Sequence, residues 1–446
     1  MSFPKKSTNS GPRKINRFFR HLTGILILSL TIIPFESAQA SAPSQHLSKK
    51  EFLRTIQKDA LGYFLRCSDS RTGLTRDSSR PGSPASIAAT GFSLAALCIA
   101  QEQGWVSYSE AYEYILKTLQ TLDRKAQHKN GFFFHFLDAR TGRRTWGSEA
   151  SSIDTALVLA GALLAGEYFK GTPVEKLAQK IYRRVNWKWM MNGSDLICMG
   201  WKPENGFLPY YWDSYNELII LQALAIGSPS FPIPSTAWNQ WDRFEDEYNS
   251  RKVIYSHSGS LFTYQYSQAF IDFRNLDDKG VNYFENSKQA TLANKEFCYD
   301  NRLSHKTYDE SFWGLTASLG PGGYRAYGAK PGQALHDGTV APHACAASIV
   351  FTPKEVVKTL RELVQKYPEK VYGEFGFRDS FNLEKNWWAY EYLGIDQGIM
   401  VLMIENHLTE SVWKRFMNLR PVEKWISLCG LEGIHSQNGT GKETSG

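Results

Sequence analysis

The sequence predicts an all-α fold, an (α/α)6 barrel built from two concentric rings of helices. Three observations predict it. Segments with helical period fill most of the 446 residues. They alternate between amphipathic and apolar on every side, and strand signals are few. An amphipathic helix can face solvent, whereas one that is apolar all round has to be enclosed.

The amphipathic segments are residues 48–65, 108–123, 173–191, 238–249, 286–301 and 353–366. Between them lie the apolar segments 85–100, 152–168, 215–226, 260–270, 308–318 and 394–407. Six of each, in alternation, give an outer and an inner ring. The aromatic run 132–137, ahead of Thr141 and Gly142, reads as a short hairpin at the barrel mouth. The glycine-rich stretch 320–338 reads as a loop within one domain, and no linker divides the chain.

The ends are of another kind. Lys5, Lys6, Arg13, Lys14, Arg17 and Arg20 precede the apolar run 22–34, and Ala38-Gln39-Ala40 follows as a small-residue cleavage site. Residues 1–40 therefore read as a secretory signal peptide, 41–430 as the barrel, and 431–446 as a disordered polar tail. A periplasmic or secreted monomer with no membrane anchor after cleavage is expected. The leader carries six basic residues and Glu36, a net +5 of the chain's +7, so only +2 remains on the rest. A nearly neutral surface excludes nucleic acid as an electrostatic partner.

The six cysteines show no C-x-x-C spacing and the ten histidines no HExxH pairing, so no metal is expected. Cys98 and Cys345 sit in alanine-rich apolar runs and read as buried free thiols.

The chemistry concentrates in two places. In Trp146-Gly-Ser-Glu149-Ala-Ser-Ser-Ile-Asp154-Thr-Ala, Ser151 and Ser152 are capping residues, which puts Glu149 and Asp154 beside a helix N-terminus where the dipole favours carboxylate. In Tyr210-Tyr-Trp-Asp-Ser-Tyr-Asn-Glu217, a glutamate closes an aromatic run just before an apolar helix. Each acid alone could be no more than a helix cap. Together, carboxylates in different environments among flat rings suit cleavage of a glycosidic bond. The aromatic fraction, 14%, includes many residues in Gly-, Pro- and Asn-rich loops, where sugar rings find apolar faces.

The chain resembles the endo-β-1,2-glucanases of glycoside hydrolase family 144 and the glucoamylase-like domain of cyclic β-1,2-glucan synthases. The resemblance is carried by Gly73-Leu-Thr-Arg-Asp77, Ser86-Ile-Ala-Ala-Thr-Gly-Phe92, Glu149-Ala-Ser-Ser-Ile-Asp154 and Tyr215-Asn-Glu217. Trp313-Gly-Leu-Thr-Ala-Ser318, Asp337-Gly-Thr-Val-Ala-Pro342, Tyr372-Gly-Glu-Phe-Gly-Phe-Arg-Asp379-Ser-Phe-Asn382 and Gly394-Ile-Asp396-Gln-Gly extend it. It implies an exported (α/α)6-barrel enzyme acting on β-glucan without a cofactor. Relatives often carry Ser-Asp-Gly-Pro where this chain reads Ser318-Leu319-Gly-Pro.

Glu217 is the expected general acid, its pKa raised by Tyr210, Tyr211, Trp212 and Ile219, and the resemblance points to the same position. Asp154 and Glu149 are equal candidates for the base. Asp77, Tyr211, Trp212, Arg378, Asp379, Asn382 and Trp388 are the expected substrate contacts, with an Arg378–Asp379 ion pair and plain packing of Trp388 as the alternatives. The resemblance leans to inversion. A polysaccharide lyase, a transglycosylase on the same barrel and a non-catalytic glycan-binding protein are the rival readings.

Overall fold

The computed structural model describes residues 41–433; the expected leader, and the tail beyond Gly433, lie outside them. In chain order the helices are α1 (Lys49–Arg66), α2 (Ile87–Glu102), α3 (Tyr108–Arg124), α4 (Ser152–Tyr168), α5 (Pro173–Arg184), α6 (Trp187–Met190), α7 (Leu218–Gly227) and α8 (Phe262–Phe270). They continue as α9 (Tyr283–Asp300), α10 (Pro342–Ala347), α11 (Pro353–Lys366), α12 (Pro368–Val371), α13 (Gly394–Leu408), α14 (Ser411–Met417) and α15 (Arg420–Cys429). The fold is the (α/α)6 barrel. Its inner ring is α2, α4, α7, α8, α10 and α13, around which α1, α3, α5, α9, α11 and α15 are packed.

The inner helices are buried on every side, as their composition requires. Every residue of α7 is buried, and each of its leucines and isoleucines gains about 1.5–3 kcal/mol by leaving water. Glycine lets these helices meet backbone to backbone. A Cβ on Gly161 of α4 would lie 1.9 Å from the Gly91 oxygen of α2, and one on Gly398 of α13 would lie 2.3 Å from the Phe92 Cβ. Between α8 and α10 the contact is polar: Gln265 Nε2 donates to the Ala344 carbonyl at 2.8 Å and to Ser348 Oγ at 3.0 Å.

Two inner helices start in the same way. Ala85–Ser86 and Ala150–Ser151 are two-residue strands, and in each the serine caps the helix that follows, accepting from the Ala89 and Asp154 amides at 3.2 Å. The aromatic run 132–137 serves both starts. Phe132–Phe133 pairs with His128–Lys129, Phe136–Leu137 pairs with Ala85–Ser86, and a Leu137–Arg144 bridge closes the turn at Thr141 and Gly142.

Two expected helices are absent. Residues 238–249 end a 3-10 turn (Ser235–Asn239) and enter a hairpin, Glu245–Tyr248 with Arg251–Ile254. Asn249 and Ser250 turn it with φ of 48° and 63°, and Trp238 and Trp241 are buried in an aromatic cluster. The place against α7 goes instead to α15, which approaches so closely that a Cβ on Gly227 would lie 2.0 Å from the Pro421 oxygen. Residues 308–318 are also irregular. Gly314 has a φ of 123°, and Asn294 of α9 satisfies both backbone groups of Leu315, donating to its carbonyl at 3.1 Å and accepting from its amide at 3.0 Å. The place of the inner helix expected there is taken by α10, from residues to which no element was assigned. The helix expected at 173–191 breaks at Val185-Asn186, where Asn186 caps α6.

Order also runs past the expected end of the barrel. Leu431 is buried, and Glu432–Gly433 pairs antiparallel with Leu276–Asp277. All six cysteines are unpaired, five of them buried. Among the described residues no helix is long and apolar enough to cross a membrane.

Because Gly91 leaves no room beneath it, Gly161→Ala is expected to wedge α2 from α4 and cost about 1–3 kcal/mol. Chemical denaturation checks this; an unchanged midpoint would mean that the two helices separate freely.

Candidate active site

A cavity of about 570 Å³ opens where the N-terminal ends of α2, α4, α7 and α13 converge. Ser86 and Ala88, Ile153 and Asp154, Glu217, and Leu393 and Ile395 come from those ends. The rest of the wall holds Asp77 and Arg80, then His135, Phe136 and Trp146, and the hairpin residues Leu319 and Tyr324. Positions 77, 154 and 217 are far apart in sequence and meet here because helices of one ring point their starts the same way.

Glu217 immediately precedes α7 and does not cap it; Asn216 Oδ1 takes the Leu218 amide instead, at 2.8 Å. Its carboxyl faces the cavity beside the apolar wall of Leu157, Phe262 and Tyr266. Burial pushes it up to about 7, the negative charge of Asp154 adds to this, and a hydrogen bond from its own amide opposes it. The expected aromatic neighbours are not the cause. Tyr210 is 63% exposed, and Trp212 turns away to donate Nε1–H to Ser152 Oγ at 2.8 Å.

Asp154 lies in the first turn of α4, on the cavity wall. Its Oδ1 is 3.7 Å from His135 Nε2, and the other ring nitrogen, Nδ1, is 3.2 Å from Glu149 Oε1. Burial works against a charged ring, yet Asp154, Glu149 and Asp77 outweigh it and push the imidazolium up to about 9. Glu149 is not on the cavity wall. Burial raises its pKa, but the bond from His135 holds it below the ordinary carboxylate value. His135 is the residue that the sequence reading missed, a lone histidine in an aromatic run.

Asp77 lines the cavity, pushed up to about 6 by burial, with His135 pulling down and Asp154 and Asp379 pushing up. Arg80 pairs with Glu391 at the rim. Tyr324 is 55% exposed as a residue, yet its hydroxyl is desolvated and faces Asp396, Asp379, Asp77 and Glu217, all of which push its pKa up.

The other expected contacts lie off the wall. Asp379 is buried, and its Oδ2 accepts the Leu319 amide at 2.6 Å and the Ser380 hydroxyl at 3.1 Å, which anchors the hairpin Ala317–Gly320 with Gly323–Ala326. Asn382 is buried and donates to the Asp337 carbonyl at 2.9 Å and to Thr339 Oγ1 at 3.2 Å. Trp388 stacks on Phe381 at 5.3 Å, with Lys370 Nζ 5.1 Å from its ring. Arg378 bonds the Tyr392 hydroxyl and lies 5.4 Å from the Tyr390 ring. Tyr211 receives a bond from Asn192 Nδ2 at 3.4 Å.

Among the described residues, two sets of donors lie close enough together to hold a cation: His135, Glu149 and Asp154, and the buried His343, Asp379 and Asp396, with the ligand atoms of each set within 4.8 Å of one another. In the first, the imidazole itself brings positive charge.

Residues 209–420 match the family model described as "Putative glucoamylase". A solved structure from Bacteroides uniformis ATCC 8492 with the same description is 31% identical, covers 87% of this chain and 99% of its own, and superposes with a TM-score of 0.82. The chain belongs to the glucoamylase-like family. Within it, an endo-β-1,2-glucanase from Chitinophaga pinensis, in complex with sophorotriose and glucose, is 27% identical over 87% of this chain and 99% of its own, with a TM-score of 0.82. An exo-β-1,2-glucooligosaccharide sophorohydrolase (non-reducing end) of Parabacteroides distasonis is 28% identical over 431 residues. That match takes in 88% of this chain and spans 59% of the length of the sophorohydrolase.

The Asp379 anchor makes a checkable claim. Asp379→Ala is expected to cost about 1.5–3 kcal/mol, as loss of a charged acceptor does, and to speed hydrogen exchange across residues 317–326. Unchanged exchange there would mean that the hairpin is held elsewhere.

Proposed function

We propose that this chain is a glycoside hydrolase that cleaves β-1,2-glucan with inversion, Glu217 serving as general acid and Asp154 as the base that activates water. One observation carries this reading: a carboxyl pushed up to about 7 shares a cavity wall with a carboxylate paired to an imidazolium. The first can hold a proton for the leaving oxygen near neutrality, and the second can accept one from water. Asp154 is preferred to Glu149 because it reaches the cavity, whereas Glu149 lies behind His135. The β-1,2 linkage is supported by the names of the relatives from Chitinophaga pinensis and Parabacteroides distasonis. Export to the periplasm or medium as a monomer is part of the same reading, supported by the basic start, apolar run and Ala38-Gln39-Ala40 site.

The cavity disfavours a lyase acting on uronic acids. Four carboxylates line it, Asp77, Asp154, Glu217 and Glu391, and its cations, Arg80 and His135, are already paired with acids.

Release of reducing ends from β-1,2-, β-1,3- and β-1,4-glucans tests the reading, with β-1,2-glucan expected to be the substrate. Glu217→Gln is expected to lower kcat by roughly 10²–10⁴-fold, the usual worth of a positioned acid. Unsaturated products would favour a lyase, and binding without products a glycan-binding protein. Proton NMR of the first anomer formed reads the stereochemistry; retention would overturn the role given to Asp154.

Glu217 must be protonated to act, so activity is expected to be present below about 7 and to fall as pH rises through that value. The kcat/KM profile checks this. An alkaline limb that is unmoved in Glu217→Gln would assign it to another group.

A further inference from the structure

His135 is neither the acid nor the base of the chemistry above, yet its ring bridges the cavity wall and the half-buried Glu149 behind it. Nδ1 is 3.2 Å from Glu149 Oε1, and Nε2 is 3.7 Å from Asp154 Oδ1. The ring is fixed by its own backbone. The His135 amide donates to the Glu149 carbonyl at 2.9 Å, and the His135 carbonyl accepts from the Ile87 amide at 3.1 Å, which ties it to the starts of α4 and α2. Its face lies on Phe136 at 3.9 Å. Gly200 makes room for Glu149: a Cβ there would lie 2.7 Å from the Glu149 Cγ.

We propose that Glu149, His135 and Asp154 form a bridged triad in which His135 is a positioning residue: Glu149 sets the orientation of the ring, and the ring holds the Asp154 carboxyl aimed into the cavity. The proposal rests on the reading of Asp154 as base and adds the device that keeps it one. The charged groups facing the ring are Glu149 and Asp154 at its two nitrogens and Asp77 on the cavity wall, with Lys202 beside Glu149. The burial of His135 works against its charge, but these carboxylates keep it protonated up to about 9, above the range in which Glu217 still holds its proton. The cation therefore persists across the whole working window.

His135→Gln removes the charge and keeps a polar side chain. The acidic limb of its kcat profile is expected to move up by about one pH unit, a loss of about tenfold at pH values below both limbs. KM is expected to stay within a fewfold and the alkaline limb of Glu217 to stay in place. A histidine with only a packing role would lower activity evenly across the pH range. Glu149→Gln supplies the second arm and serves alone should H135Q fail to fold. In it the imidazole resonance of His135, assigned by NMR, is expected to titrate at lower pH than in the wild type. An acidic limb unmoved in H135Q while E217Q is inactive, or an imidazole titration unmoved in E149Q, would overturn the triad. Full activity in E217Q would instead overturn the assignment of the acid, and the NMR titration would still decide whether the triad exists.

Discussion

The constraint on which this molecule depends is the width of its inner ring. Helices that meet through ordinary side chains hold their axes 8–10 Å apart. Here Gly91 and Gly161 bring α2 and α4 together backbone on backbone, and Gly398 lets α13 sit on Phe92. The narrowing draws the helix starts together at one end of the barrel, and the cavity is the space those starts leave. Ser86 and Ser151 then fix where each chain enters its helix, which sets the aim of Asp154. Asp154 on α4 and Glu217 ahead of α7 therefore meet where neighbouring helices of one narrow ring begin.

The parts of the fold that could be read from the sequence were those with a period. Continuous apolar helices such as α4, α7 and α13 have to be enclosed, and a ring is the arrangement that encloses six. Two segments misled, one because apolar content and the other because aromatic spacing was read as helix. At 308–318 Gly314 takes a left-handed conformation that no helix allows, and the side-chain amide of Asn294, on a helix well upstream, satisfies Leu315. No local pattern announces a partner at that distance. At 238–249 the aromatic spacing imitates a helical face, whereas the left-handed pair Asn249-Ser250 makes a hairpin. The helix that fills the vacated place lies at the far end of the chain.

The candidate site was legible where charge stands out against an apolar run, as with Asp154, Glu217 and Asp77. It was not legible where the cause of a property lies across the fold. The proton affinity of Glu217 comes from a wall that includes Phe262 and Tyr266, not from the aromatics beside it in sequence. Trp212, Asp379 and Asn382 looked like sugar contacts because they are polar or flat and sit in irregular chain. Their hydrogen bonds go to Ser152, Leu319 and Asp337, so they shape loops from within. His135 carried no periodic or motif signal at all.

The docking of α15 has a consequence for how the barrel is made. Pro421 packs onto Gly227, and Trp425 lies edge-on to Trp238 at 5.3 Å, so the outer wall beside α7 is supplied by a helix that follows it only after seven others, α8 to α14. During synthesis this face of the ring stays open until α15 has emerged. Closure of this flank is thus a late event that joins a mid-chain helix to one made long after it, and a chain stopped short of Arg420 would leave that flank of the core bare to water.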